Sequence, residues 1–298
     1  MELTVGPAEA GQRLDALLAE PLGSRSRAQR LIEAGAVRVD GAPVAKRHRV
    51  AAGERVEVDE VADAPAPADI GATVDFGVPY EDEHLLVVDK PPRLVVHPAK
   101  GHLTGTLAQA LEGRAFGGED GWRAGIVHRL DRDTSGLMVV AKSERVHAAL
   151  KAALQRREVT REYLALVEGR PGARTGTIEA PIGRDRRVRT RMSIDTDTPR
   201  DAVTHFELVE ALPTTSLLRV RLETGRTHQI RVHLQAIGHP VAGDPEYGTP
   251  GLLGLERQFL HAALLAFTHP VTGEPVAVES PLPADLAAAL DRARSAGA

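Results

Sequence analysis

The sequence predicts an α+β protein: a mixed, largely antiparallel sheet with helices against it, preceded by a small α/β module. Two observations carry this prediction. Beyond residue 76, strand-like runs far outnumber helical ones and are separated by short turns. Before it, the Pro/Ala-rich stretch ADAPAPADIGA at 62–72 has no apolar periodicity and reads as a semi-stiff linker. The expected division is therefore 1–61, a linker at 62–75, and a catalytic domain at 76–298. A chain of 298 residues with 42% hydrophobic content has enough apolar side chains to bury such a core.

The elements follow in order. GQRLDALLAEPL places Leu14, Leu17 and Leu18 at helical spacing, and Ser24 offers an N-cap for RSRAQRLIEAG, which stops at Gly35. AVRV-DG-APV reads as a hairpin turning at Asp40-Gly41, and GERVEV as another alternating strand. Arg27 and Arg30 lie three apart on the second helix and can flank one groove. Two short helices on a small sheet with a basic helix face resemble the RNA-binding module first seen in small-subunit ribosomal protein four, the αL type. After the linker come the strand candidates HLLVVDK, RLVVH, SGLMVVAK, REYLALVEG, AVTHFELVEAL, SLLRVRLETG, FLHAALLAF and PVAVESP. The helical stretches are ERVHAALKAALQRR, THQIRVHLQAIG and ADLAAALDRARS.

Composition excludes several classes. Zero cysteines rule out disulfides and thiolate metal sites, and agree with a cytoplasmic location. No run of 18 or more apolar residues and no basic-plus-apolar leader is present, so membrane insertion or secretion is not expected. A net charge of −4 speaks against nucleic acid only if charge is averaged over the chain, because phosphate binding needs a local basic surface. Two such places exist. Residues 24–49 hold Arg25, Arg27, Arg30, Arg38, Lys46, Arg47 and Arg49 against Glu33 and Asp40. RDRRVRTR at 184–191, which includes Arg187 and Arg189, sets five arginines against Asp185. Taken alone, either run is as readily a solvated face.

The chemistry concentrates in HRLDRDTSG, His128 to Gly136, between two apolar runs. An aspartate before a strand is most often a turn former. Here Asp131 sits between Arg129 and Arg132, with Asp133, Thr134 and Ser135 able to fix the turn, which could hold one carboxylate rigidly at a strand mouth. There is no HExxH, P-loop, GxSxG or paired CxxC, and the 12 histidines form no metal set. A lone carboxylate would then act as nucleophile or as base.

GIVHRLDRDTSGLMVVAK, with DKPPRLVVHPAKG before it and TREYLALVEG and LETGRTHQIRVHLQAIGHPVAGDPEYG after it, resembles the ribosomal large-subunit pseudouridine synthase family, the RluA/RluD group. The resemblance spans about 76–285, and the αL-type module in front is the arrangement of the RluD-like and RluC-like branches. It implies a pseudouridine synthase fold and isomerisation of uridine to pseudouridine in RNA, with no metal and no cofactor. Asp131 matches the family's essential aspartate, as nucleophile or as the base that removes a ribose proton. Arg231 matches the arginine that pairs with it. The residues around Arg231 read as a helix capped by Thr227, with Ile230, Leu234 and Ile237 on its apolar face. Tyr163 matches the ring that stacks on the uracil, although alternation alone equally allows a core tyrosine. Arg129 matches a residue that fills the gap left by the flipped nucleotide. His128 is expected to support the loop, Asp89-Lys90-Pro91 to form a structural or RNA-facing loop, and Asp244 and Tyr247 to shape the rim. Arg93 stands where the family usually has Gly, which changes what the local backbone can adopt.

The expected partner is RNA, ribosomal RNA or a pre-ribosomal particle, bound by Arg129, by Arg25, Arg27, Arg30, Lys46, Arg47 and Arg49, and by Arg187 and Arg189; the protein is expected to be a monomer. Alternatives are a tRNA-directed synthase of the same family and a non-catalytic RNA-binding assembly factor, which would be expected to lose Asp131, Tyr163 or Arg231. A uracil-releasing nucleosidase ranks last, since no pair of residues is placed to activate water.

Overall fold

The computed structural model describes residues 1–22, 25–45, 47–59, 74–98, 104–118 and 124–296, with the side chains of Arg25, Ser26, Arg27 and Arg30 excepted. The proposed cap Ser24, Lys46 and the 62–72 linker lie outside the described residues, as do the side chains of Arg25, Arg27 and Arg30. Strands β1 (Glu2–Thr4), β2 (Val37–Val39), β3 (Ala42–Pro43) and β4 (Arg55–Val58) form an antiparallel sheet in the order β1-β4-β2-β3. Asp40 and Gly41 both take positive φ, 49° and 78°, the twist a two-residue hairpin requires. Helices α1 (Leu14–Leu17) and α2 (Arg25–Glu33) bury Leu14, Leu18, Ala28, Leu31 and Ile32 against Val37, Val39 and Val56. This cluster is the module's own core.

The second sheet contains β5 (Gly77–Glu81), β6 (Leu85–Lys90), β7 (Ser135–Ala141), β8 (Thr160–Glu168) and β9 (Thr175–Glu179). A small hairpin, β10 (Gly183–Arg184) and β11 (Met192–Ser193), stands apart from it. The sheet continues with β12 (Val203–Ala211), β13 (Thr215–Leu222), β14 (Leu260–Thr268) and β15 (Pro275–Glu279). Its order is β5-β6-β7-β14-β8-β13-β12-β9, with β15 also on β14. Every strand pair is antiparallel except β7 with β14, so the sheet is mixed and largely antiparallel, as expected.

Both faces of the central strands are covered, which is why HLLVVDK and SGLMVVAK read as unbroken apolar runs. Leu85, Val87, Leu137 and Val139 join Val146 and Leu150 of α4 (Glu144–Gln155) on one side. Leu86, Val88, Met138 and Val140 share the opposite core with Leu107 and Leu111, with Ile230 and Leu234, and with Leu286 and Leu290. Those three pairs belong to the regions of α3 (Leu107–Ala110), α5 (Gln229–Ala236) and α6 (Ala284–Ser295).

Two local expectations are corrected. RLVVH is not a strand: Arg93 has φ 67°, and the Val95 and Val96 carbonyls accept from Leu107 N and Ala108 N, at 2.9 and 3.0 Å. Those acceptors satisfy the free N–H groups at the start of α3 and are lost to any sheet ladder. α5 begins after His228, in the left-handed region at φ 55°, and not from a Thr227 cap; Ile237 beyond its end is exposed.

Candidate active site

The turn that carries Asp131 is held mainly by groups from other segments. Asp131 O accepts from Thr134 N at 3.1 Å. Lys90 Nζ donates to the Arg132 carbonyl at 2.9 Å as well as to Pro91 O and Leu94 O. Arg257 donates to Asp133 O at 3.0 Å, Gln258 to Thr134 Oγ1 at 3.2 Å, and Ser135 Oγ lies 3.0 Å from His261 Nδ1. Asp133, by contrast, turns its side chain to Arg132. At Gly136 the parallel contact with β14 is so close that a Cβ would sit 2.2 Å from the Ala262 carbonyl oxygen, and φ is 110°. No other residue fits there. His128 accepts from Val139 N at 3.2 Å, and burial, helped by the Arg161 charge, lowers its pKa to about 3. It therefore stays neutral, in the supporting position expected of it.

Asp131, Tyr163 and Arg231 come from three distant segments and line one open cleft of about 480 Å³, including its open mouth, together with Arg129, Arg161, Leu222, Ile230 and Leu260. Arg231 forks onto Asp244, Nε to Oδ2 at 2.6 Å and Nη2 to Oδ1 at 2.8 Å, leaving Nη1 at 3.4 Å from Asp131 Oδ2. Asp244 is fully buried, and its Oδ1 also accepts from Glu246 N and Tyr247 N, at 2.9 and 3.0 Å. Burial opposes the charge on Arg231, but its bonds to Asp244 and the nearby carboxylates outweigh that, so its pKa rises. For Asp244, burial pushes upward, and the Arg231 bonds and two backbone N–H groups win, so its pKa falls. The pair therefore remains ionised, fixed, and pointed at Asp131. Tyr163 is 5% exposed. Burial raises its phenol pKa, Arg161 opposing and Asp131 reinforcing, so the ring reaches the cavity protonated.

The basic residues separate into groups. Arg129 is exposed on the cavity wall. RDRRVRTR forms the connection of the β10–β11 hairpin, where Asp185 accepts from Arg187 N and Val188 N at 2.8 Å each. Arg186 pairs with Asp195 and Asp197, whereas Arg187 and Arg189 stay exposed without a carboxylate among the described residues. In the module, Arg47 is exposed, and Arg49 donates to Gly11 O at 2.7 Å. The hairpin is tied to the cavity by Tyr247. Its hydroxyl bonds Met192 N and O at 3.1 and 3.2 Å and lies 3.0 Å from His228 Nδ1. The Arg191 and Arg231 guanidinium carbons lie over its ring, 4.5 and 4.8 Å from the centroid.

Several roles differ from expectation. Asp244 and Tyr247, expected at the rim, are 0% and 5% exposed and anchor Arg231 from behind. Lys90, expected in a loop, ends β6, is fully buried, and clamps the Asp131 turn. Arg93 takes the left-handed backbone usual for Gly and pairs with Glu256 across exposed surface. Arg161 went unremarked; its signal was a charge two residues before Tyr163, on the same face of an alternating strand.

Among the described residues, no group of three or more His, Cys, Asp or Glu could hold a metal, and no helix is long and apolar enough to cross a membrane. The RNA pseudouridylate synthase family model matches residues 84–236, and the S4 domain model matches 12–56. The chain is 42% identical to the uncharacterized RNA pseudouridine synthase YlyB of Bacillus subtilis (strain 168), covering 100% of this chain and 99% of that one. It is 44% identical to ribosomal large subunit pseudouridine synthase D of Nitrosomonas europaea, over 99% of this chain and 88% of the relative. The same-named protein of Pseudomonas aeruginosa is also 44% identical, over 92% and 90%. Among solved structures, Human RNA Pseudouridylate Synthase Domain Containing 1 is similar with a TM-score of 0.56 and 30% identity, over 73% of this chain and 86% of that one.

Proposed function

Because this chain belongs to the RNA pseudouridine synthase family, whose members are isomerases, we propose that it converts particular uridines of 23S large-subunit ribosomal RNA to pseudouridine, using Asp131 and no cofactor. The observation that carries the residue assignment is the convergence of Asp131, Tyr163 and Arg231 on one cavity from segments far apart in sequence. The reaction breaks the bond between ribose and uracil N1, turns the held uracil, and joins its carbon 5 to the same ribose carbon; carbon 5 gives up its proton and N1 gains one, so no atom is lost or added. Asp131 provides the carboxylate, as nucleophile or as base toward the ribose. Arg231 orients that carboxylate through Nη1 while Asp244 keeps the guanidinium in place. Tyr163 offers its ring to the uracil after the base leaves its helix, and Arg129 fills the space vacated.

The S4 match and the names of the relatives support ribosomal RNA as the target. In this reading the 1–61 module, through Arg25, Arg27, Arg30, Lys46, Arg47 and Arg49, grips the RNA, and Arg187 and Arg189 add phosphate contacts from the hairpin. The protein works in the cytoplasm as a monomer. Mapping pseudouridines in total RNA from cells with and without the gene tests the target. Sites confined to large-subunit ribosomal RNA that vanish with the gene are expected, and loss of tRNA sites alone would overturn the assignment.

A further inference from the structure

Arg161 stands out among the buried arginines. It is 8% exposed, and no carboxylate pairs with it among the described residues, whereas Arg231 and Arg257, buried to a similar degree, fork onto Asp244 and Asp285. Its Nη2 donates two long hydrogen bonds, to the carbonyls of Leu222 and Glu223 at 3.4 Å each, and its Nε is buried with no hydrogen-bond partner. A buried guanidinium left in this state is costly unless something anionic arrives.

Its position says what would arrive. β8 carries Arg161 and Tyr163 on the same face, so the guanidinium lies beside the ring in the wall of the Asp131 cavity. It also borders an adjoining groove of about 1440 Å³, including its open mouth, where Arg129, Lys151, Arg157 and Arg226 outnumber Glu223, the carboxylate that pairs with Arg157. Gly225 stands at this junction, where a Cβ would meet Arg161 Nη1 at 3.0 Å, so the glycine leaves the guanidinium its space. Uracil is neutral and would leave the charge uncompensated. A phosphodiester supplies a full negative charge and acceptors matched to the guanidinium fork.

We propose that Arg161 is a phosphodiester-binding residue, which holds the RNA backbone beside the target uridine as the strand leaves the Asp131 cavity for the basic groove. The proposal rests on the reading of that cavity as the uridine site. Arg129 and Arg226, exposed at the same junction, flank the path. Arg161 thereby ties the depth to which the nucleotide is inserted to the position of Tyr163, two residues along the strand.

The test compares wild type, Arg161→Gln and Arg161→Lys in the full chain, on a short hairpin RNA spanning a uridine that the wild type converts. For Arg161→Gln we expect KM to rise about tenfold with kcat within about threefold, and the slope of log affinity against log salt to flatten by about one. Arg161→Lys should restore most of that slope. Thermal unfolding of Arg161→Gln should be unchanged or higher, since an unpaired buried cation is removed. A second arm needs no variant to fold: neutral methylphosphonates are placed one at a time along the RNA and bound by wild type. One linkage next to the target should lose affinity, and Arg161→Gln should be indifferent to it. An unchanged salt slope in Arg161→Gln, a fall in kcat alone, or the absence of a sensitive linkage would overturn the proposal. Binding and its salt slope require no turnover, so they judge Arg161 separately from the assignment of the cavity, which wild-type conversion judges.

Discussion

Asp131 and Arg231 meet at one point, Nη1 to Oδ2 at 3.4 Å, while the other two nitrogens of the guanidinium are bound to Asp244 at 2.6 and 2.8 Å. The arginine is thus owned by a buried partner and lent to Asp131, the carboxylate proposed to do the work. This division of contacts lets Asp131, whose side chain is 18% exposed, stay open to a substrate while its neighbour cannot turn away.

Asp131→Asn should abolish pseudouridine formation and leave folding and RNA binding nearly intact, because the side chain has a single long contact to lose. Pseudouridine yield on a converted RNA measures it. Turnover within about tenfold of wild type, about 1.4 kcal/mol of barrier, would remove Asp131 from the chemistry.

Removing Arg231 should do more than stop the reaction. Arg231→Met leaves the Asp244 carboxylate buried without its counter-ion, which costs about 3–5 kcal/mol of stability, and Asp244→Ala should likewise inactivate although Asp244 does not line the cavity. Arg231→Lys should recover part of the rate, since an ammonium cannot fork. The double variant Arg231→Met with Asp244→Leu should regain stability without activity. Denaturant unfolding beside turnover separates these outcomes, and a double variant as unstable as Arg231→Met would contradict the pairing.

What was legible follows from how each feature is encoded. HRLDRDTSG and GRTHQIRVH are contiguous, and each carries its chemistry in its own letters. Asp244 was misplaced because nothing local marks an aspartate in GDPEYG as buried; its partner lies 13 residues back, in another element. RLVVH has the short, β-branched apolar run of a strand, yet the N-terminus of α3 takes two of its carbonyls, a tertiary competition that the letters do not show. The left-handed start of α5 at His228 is equally silent, since Thr227 is the better cap on composition. The sheet was legible because burial on both faces writes itself as apolar runs.

Lys90 should make stability depend on pH. Burial, opposed by Asp133 and Asp131, lowers its pKa from 10.5 to about 7. Between those values the unfolded chain holds the extra proton, so this contribution to stability grows as pH rises from 7 towards 10.5 and is lost as pH falls through 7. Lys90→Met titrates nothing there. The difference in unfolding free energy between wild type and Lys90→Met should therefore increase across the window. A flat difference would mean that three carbonyls keep the ammonium charged. The variant should also lose turnover with little change in RNA affinity, because the Arg132 tether goes with it.

Deleting residues 1–72 should leave a folded synthase domain, since the module keeps its own sheet and hydrophobic cluster. RNA affinity should fall and its salt dependence flatten as phosphate contacts are lost. Unchanged affinity and slope, measured by titration over several salt concentrations, would mean that the module grips something other than RNA.

The parallel seam between Ser135–Gly136 and His261–Ala262 has a consequence for synthesis. The turn at 131–135 is fastened by Arg257, Gln258 and His261, which the ribosome delivers more than a hundred residues after Asp131 itself. A nascent chain ending at residue 256 would already contain Asp131, Tyr163, Arg231 and Asp244, and β6 with Lys90 beside the turn, yet it would lack β14 and the three side chains that close the turn from the other side. Such a fragment, expressed alone, should bind RNA and convert none. With Asp131 as the proposed working group, competence would arrive only once β14 has emerged, and an unfinished chain would leave the RNA it meets unaltered.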